Sequence, residues 1–270
     1  MLLTRHQTPQ GARWASDGFF LPLGIDLSTL LALSREAIVK LLTSLPQDEP
    51  AVGTLLAPLD AMHEVWAAGV TYQRSREARR AESAVADVYD RVYAAPRPEL
   101  FFKAIGWRVV GDGMSIRIRS DSRWNVPESE LVLVANRYRE IVGYSAGNDV
   151  SSRDIEGENP LYLPQAKIYN QSCAIGSGIV VCESSELAEL SIRMTIRRQG
   201  SILFHEETTT TKMKRPISEL VDYLTRELVF PHGVLLMTGT GIVPPGDFSL
   251  RSGDWVEIQV GELAIQNQVA

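Results

Sequence analysis

From Leu100 onward the chain is a succession of short apolar or alternating runs cut by turns: LFFKA, RVV, SIRIR, ELVLVA, EIVGYSA, GSGIVV, LSIRMTIRRQG, SILFHEETTT, LLMTGTGIV and DWVEIQV. Strands alternating regularly with helices would build a doubly wound parallel sheet, whereas strands following one another do not. The pattern therefore predicts a main domain, residues 61–270, that is predominantly β with a few helices packed outside. RRQGSILF, with Gly200 near its middle, reads as a hairpin between two alternating runs. ISELVDYLTREL (217–228) has the i, i+3, i+4 apolar spacing of a helix.

The first 60 residues read as a small α/β module of their own. Extended pieces such as FFLPLGID (19–26) precede a helix expected over 28–45, capped by Ser28, with Leu30, Leu33, Ile38, Leu41 and Leu42 on one side. PQDEPAVG is a linker rich in turn formers. The strand HEVWAAGV (63–70) leads into the main domain, and the charged stretch 73–95 is expected as one helix, closed by Pro96 and Pro98. Among the 270 residues 44% are apolar and 22% charged, the composition of a globular enzyme. A formal charge of −6 disfavours a nucleic-acid partner, which would call for a basic stripe. No run reaches the roughly 18 apolar residues that span a bilayer, so no membrane partner is expected. The N-terminus lacks the apolar core of a signal peptide. Cys173 and Cys182 form neither a disulfide framework nor a CxxC pair, and the expected location is a reducing cytoplasm.

Chemistry concentrates between Trp124 and Asp154. Glu128 and Glu130 stand two residues apart at the mouth of the apolar run LVLVA, so on a strand their side chains share a face. Like charges so placed repel and raise each other's pKa, and a divalent cation relieves both effects. Hard oxygen donors suit Mg²⁺, Mn²⁺ or Ca²⁺. Taken alone, such a pair is more often the mark of a solvated strand edge. Asp149, in the turn-rich stretch AGNDVSSRD after EIVGYSA, adds a third carboxylate if the two strands are antiparallel. Three carboxylates leave positions open for waters or a chelating substrate.

These motifs, in this order, resemble the fumarylacetoacetate hydrolase superfamily. The matching segments are PELFFKA (98–104), Glu128/Glu130, NDVSSRD (148–154), KIYNQSCAIGSGIVV from Lys167, and the closing TGTGIVPPGDFSLRSGDWVEIQVGELA. The resemblance spans about residues 62 to 266. It implies a mixed β-sandwich roll, Mg²⁺ or Mn²⁺ held by Glu128, Glu130 and Asp149, a 2-oxo acid or 1,3-dicarbonyl substrate, and assembly as a homodimer or homotetramer. Hydrolytic members carry N-Y-x-x-H-x-x-E on a lid, where a His–Glu dyad activates water. Here GVTYQRSREARRAES (69–83) keeps Tyr72 but has Thr71 for the Asn and Ser75 for the His, which argues against hydrolysis. IEGENPLYLPQAKIYNQSCAIG (155–176) is similar instead to the 2-keto-3-deoxy-pentonate dehydratases of the superfamily, which yield 2,5-dioxopentanoate.

In that reading Lys167 is the base that takes a C3 proton, which calls for a depressed pKa; its bland alternative is a solvated strand end. Glu99, beside LFFKA, is the acid for the departing hydroxyl. Glu82 on the lid helix is a second acidic contact, or simply a solvated helix glutamate. Tyr72 is the lid residue kept from the family pattern, and Arg153 offers paired donors to the substrate, or an ion pair with Asp154 or Glu156. Thr240 of the TGT turn is placed at the substrate carboxylate. The alternative within the family is a C–C hydrolase or decarboxylase of acylpyruvates or other 1,3-dicarbonyl acids. Outside it, GYSAG (143–147) satisfies GxSxG, with Asp222 and His232 as triad partners in chain order. A non-catalytic binding protein is a further alternative, disfavoured by the cost of clustering three carboxylates. HEETT (205–209) has Thr209 where a zinc-binding histidine would stand, and GSG (176–178) precedes a strand, not a helix.

Overall fold

The computed structural model describes residues 1–82 and 86–270. Its frame is an 11-stranded mixed sheet. Across it the strands run Phe19–Phe20, Gly11–Ser16, Leu2–Thr8, Ile179–Val181, Ile141–Asp149, Ser129–Ala135, Val234–Met237, Glu64–Gly69 and Glu99–Ile105. Cys173–Ile175 and Thr54–Leu56 attach to Ile141–Asp149 and Leu2–Thr8. A four-stranded sheet packs against it, in the order Ser201–Thr209, Ser191–Arg198, Trp255–Val260, Leu263–Gln268. The expected hairpin joins its first two strands, with Gln199 and Gly200 at positive φ in the turn.

The unbroken apolar run LVLVA follows from burial on both faces, as central strands of covered sheets require. Leu131, Leu133 and Ala135 point to a layer shared with Ile192, Met194 and Ile258 of the small sheet and Leu220 and Leu224 of the helix Ile217–Leu224. Val132 and Val134 point the other way, to Leu30, Leu31, Ile38 and Leu42. Each such side chain stabilises the fold by about 1.5–3 kcal/mol relative to exposure. The first sixty residues, expected as a module, lay strands along one edge of the large sheet (Leu2 opposite Val180, Leu3 opposite Ile179) and helices on this second face.

Several elements depart from the sequence expectation. The helix expected over 28–45 is two helices, Leu27–Leu31 and Arg35–Ser44. Asp26, not Ser28, caps the first by accepting from Thr29 N at 2.7 Å. Ser34 starts the second by accepting from Ala37 N, a local bond that competes with continuing the helix. The stretch 73–95 forms Gln73–Glu82 and Ala86–Ala94. SIRIR and RVV are not strands: Ile116 and Val110 make single parallel bridges to Val269 and Ala174, with no continuous ladder on either side. No helix among the described residues is long and apolar enough to cross a membrane.

The large sheet curls into a roll. Three strands separate Glu99–Ile105 from Ile141–Asp149 in the sheet order, yet Lys103 Nζ on the first lies 2.5 Å from Asp149 Oδ1 on the second. The mixed sheet-dominated α+β roll is the fold that the resemblance implied. Its curl brings distant charges together at one end.

Candidate active site

Glu128, Glu130 and Asp149 meet through strand register. Ser129–Ala135 and Ile141–Asp149 are antiparallel, with Ser129 opposite Asn148 and Glu130 opposite Gly147. Asp149 N donates to Glu128 O at 3.0 Å, which brings Asp149 beside Glu128. Asp149 is thus the last residue of a strand and not part of a loop as the turn-rich sequence suggested; small residues here fit a tightly packed end, where a Cβ on Gly147 would meet Val132 Cγ2 at 2.5 Å. The three carboxylates are buried, with ligand atoms all within 4.8 Å of one another.

Cations crowd two of the three. Lys167 Nζ donates to Glu128 Oε2 at 2.9 Å, Asp149 Oδ2 at 3.0 Å and Ser151 Oγ at 2.6 Å. Glu128 Oε1 accepts from Arg79 Nη2 at 2.7 Å and Arg153 Nη2 at 2.6 Å. Lys103 sits wholly inside, donating to Val150 O and Lys167 O while it faces Asp149. Burial pushes the Glu128 carboxyl up, but Lys167, Arg153 and Arg79 together hold it well below the usual range. Glu130 goes the other way. Burial raises it, the charges of Asp149 and Glu128 raise it further, and Lys167 and the Gly239 N–H (2.6 Å) do not compensate.

Lys167 ends the short helix Leu163–Lys167, not a strand, and is buried rather than solvated. Burial lowers its pKa, yet the carboxylates of Asp149, Glu128 and Glu156 outweigh burial and raise it. The depressed value expected of a base is therefore not what the protein alone provides: the ammonium is locked between the carboxylates. Arg153 makes the ion pair with Glu156 (Nη1 to Oε2, 2.5 Å) in addition to that with Glu128, while Asp154 turns away to Ser122 and the Arg123 N–H.

Glu99, Lys167, Arg79, Glu156 and Thr240 line one cavity with Glu128 and Asp149. Burial, helped by the charge of Glu156, pushes the Glu99 carboxyl up to about 7. The Thr240 hydroxyl closes onto its own turn, bonding Ile242 O and the Ile242 N–H. Tyr72 borders a neighbouring groove with Gly241; its buried hydroxyl has no hydrogen-bond partner among the described residues, and burial and the Glu130 charge raise its pKa. Glu82 is the last residue of Gln73–Glu82, and its side chain lies outside the described residues. Between the strand Glu64–Gly69 and that helix, Val70 has φ 52, uncommon for a β-branched residue, at the cavity wall.

Arg79, Lys103 and Glu156 escaped the sequence reading. Arg79 is hidden in a run of helix charges, Lys103 in a segment read only for its resemblance, and Glu156 was read only as a partner for Arg153. The serine-hydrolase alternative fails on geometry. Ser145 is fully buried in mid-strand and donates to Gly178 O at 2.7 Å, with no strand-turn-helix elbow to present it.

The donor set fits a divalent cation. Three oxygen-bearing side chains converge, and burial with two carboxylate neighbours disfavours an ionised Glu130 that a cation placed among them would favour.

The profile of the fumarylacetoacetate (FAA) hydrolase C-terminal family matches residues 64–270. A probable 2-keto-3-deoxyxylonate dehydratase of Haloferax volcanii is 46% identical over 242 residues, 87% of this chain and 83% of the relative. The 2-dehydro-3-deoxy-D-arabinonate dehydratase of Saccharolobus solfataricus is 45% identical over 206 residues, 74% of this chain and 69% of the relative. A solved 2-keto-3-deoxy-D-arabinonate dehydratase complexed with magnesium and 2,5-dioxopentanoate superposes with a TM-score of 0.85 at 33% identity, covering 100% of this chain and 98% of that one.

Proposed function

The chain belongs to the fumarylacetoacetate hydrolase family, and from that membership we propose that it is a magnesium-dependent hydro-lyase. Its substrate is a five-carbon 2-keto-3-deoxy sugar acid and its product 2,5-dioxopentanoate, formed with loss of one water. The observation that carries the reading is the buried trio Glu128, Glu130 and Asp149 with the Lys167 ammonium bridging two of its members, in a chain so similar to dehydratases of this substrate class.

Glu128, Glu130 and Asp149 are the residues that would hold Mg²⁺, with Mn²⁺ as the alternative ion. An ion bound there would supply Lewis acidity toward C3 of a 2-oxo acid and would offset the carboxylate charge that otherwise favours the Lys167 ammonium. Lys167 takes the C3 proton, with Ser151 and the two carboxylates fixing its Nζ. The C4 hydroxyl lies β to the keto group, so the electron pair released at C3 expels it once it is protonated. Glu99, raised to about 7, is the proton donor at that oxygen. A later proton shift converts the unsaturated keto acid to the aldehyde. Arg153 and Thr240 orient the substrate, and Tyr72 and Glu82 complete the lid side. The missing lid imidazole supports elimination over hydrolysis: Ser75 stands in its place, and no described residue lining the cavity is a histidine.

The same reading divides the chain near residue 60, supported by a family profile that begins at residue 64. It assembles the protein as a homodimer or homotetramer and places it in the cytoplasm, where the free thiols of Cys173 and Cys182 stay reduced. Incubation with a panel of 2-keto-3-deoxy acids, Mg²⁺ and an aldehyde trap tests the activity. Trapped 2,5-dioxopentanoate from a pentonate is expected. Pyruvate or another acid fragment in its place would move the assignment to C–C hydrolysis or decarboxylation.

A further inference from the structure

Gly69 and Glu99 are cross-strand partners in the pair Glu64–Gly69 and Glu99–Ile105. The Glu99 side chain lies over the spot where a side chain at position 69 would begin. A Cβ built on Gly69 would stand 2.0 Å from Glu99 Oε2, 2.5 Å from its Cδ and 3.2 Å from its Cγ. Carbon atoms in contact keep about 3.5–4 Å apart, so any residue but glycine displaces this carboxyl. The backbone supplies no other reason for glycine here, because Gly69 is not among the residues with positive φ. Gly239, also on the cavity wall, differs: its φ is 88, so the backbone itself favours glycine, and its Cβ would meet Thr71 Oγ1 at 2.1 Å and Ala68 O at 3.0 Å.

We propose that Gly69 is a positioning residue for the dehydration, its absent side chain forming the seat that aims the Glu99 carboxyl into the cavity. The inference rests on the acid role assigned to Glu99 above. All three close atoms belong to the far end of a flexible side chain, so alanine at 69 is accommodated by rotation of Glu99 to another staggered rotamer, not by movement of the strand. The seat also governs the acid's surroundings. The chain leaves the sheet at Val70, and Gly69 and Val70 border the cavity together with Glu99. A carboxyl displaced from this wall leaves the buried surroundings that raise its pKa.

The test compares G69A, E99Q and the double variant, each as the full chain loaded with Mg²⁺. G69A is expected to lower kcat at least about tenfold, part of the roughly 10²–10⁴-fold that a general acid contributes, with KM, the melting temperature and Mg²⁺ affinity by calorimetry unchanged. It is expected to cost nothing further in the E99Q background. The alkaline limb of its kcat profile moves to lower pH, and a crystal structure of G69A shows the Glu99 carboxyl rotated off the cavity wall. Full kcat in G69A with an impaired E99Q would overturn the Gly69 proposal alone, as would equal losses from G69A in both backgrounds. Full kcat in E99Q would remove the acid assignment itself, and the role of Gly69 with it.

Discussion

Glu128 and Glu130 stand two residues apart at one end of the same apolar run, both almost fully buried, yet their electrostatic surroundings are opposite. Glu128 is gripped by Arg79, Arg153 and Lys167 and held well below the ordinary carboxylate range. Glu130 receives one N–H bond from Gly239 and is pushed well above that range by burial and by its two carboxylate neighbours. The Glu128 side of the pocket is saturated with the protein's own cations. The Glu130 side is short of positive charge. One half of the site is therefore built as an ion-pair network, while the other lacks a close cation of the protein's own, so structure and metal binding are expected to separate on mutation.

The sharpest way to break this contrast is E130Q. It should abolish Mg²⁺ binding by calorimetry and lower kcat/KM by about 10³-fold or more, the several kcal/mol a Lewis acid supplies, without lowering stability, since burial and its carboxylate neighbours already push Glu130 toward its neutral form. E128Q should lose the metal as well, but also about 3–5 kcal/mol of stability in denaturant titration, because three buried cations lose their shared partner. Equal stability of E128Q and E130Q would erase the distinction drawn here. K167M comes next: kcat should fall by about 10²–10⁴-fold, as for loss of a general base, while Mg²⁺ still binds. Loss of Mg²⁺ binding would make Lys167 a structural counter-ion only. The smallest effect is expected at Glu99. An acid must be protonated to act, so kcat should be full below Glu99's pKa and decline as pH rises through about 7. E99Q should lower kcat by about 10²-fold and leave a profile without that limb.

The chain displays the glutamate pair openly, because residues two apart on a strand share a face wherever the strand lies. It displays the β-rich architecture for the same kind of reason: LVLVA, the RRQG hairpin and the Ile217–Leu224 helix carry their periods locally. The break at Ala32–Ser34 was less legible, since Ser34 fits a helix interior pattern until its hydroxyl is seen to cap the next turn. Asp149 was placed near the glutamates on a conditional argument from antiparallel pairing, and the observed register supplies the condition. Arg79, Lys103 and Glu156 had no signal of their own. A charged residue in a charged helix looks solvated until its contacts are known.

What the sequence determined by itself is which carboxylates can act together and on what kind of scaffold, because strand periodicity and register are short-range properties of the backbone. What only the tertiary structure decided is the charge state of that site. Arg79, Lys103, Arg153 and Lys167 reach the trio from separate elements, and the seat at Gly69 exists only because Glu99 lies across it. These depend on the curl of the large sheet, and inside a low-dielectric interior a shift of a few ångströms in a charged partner changes which groups carry protons.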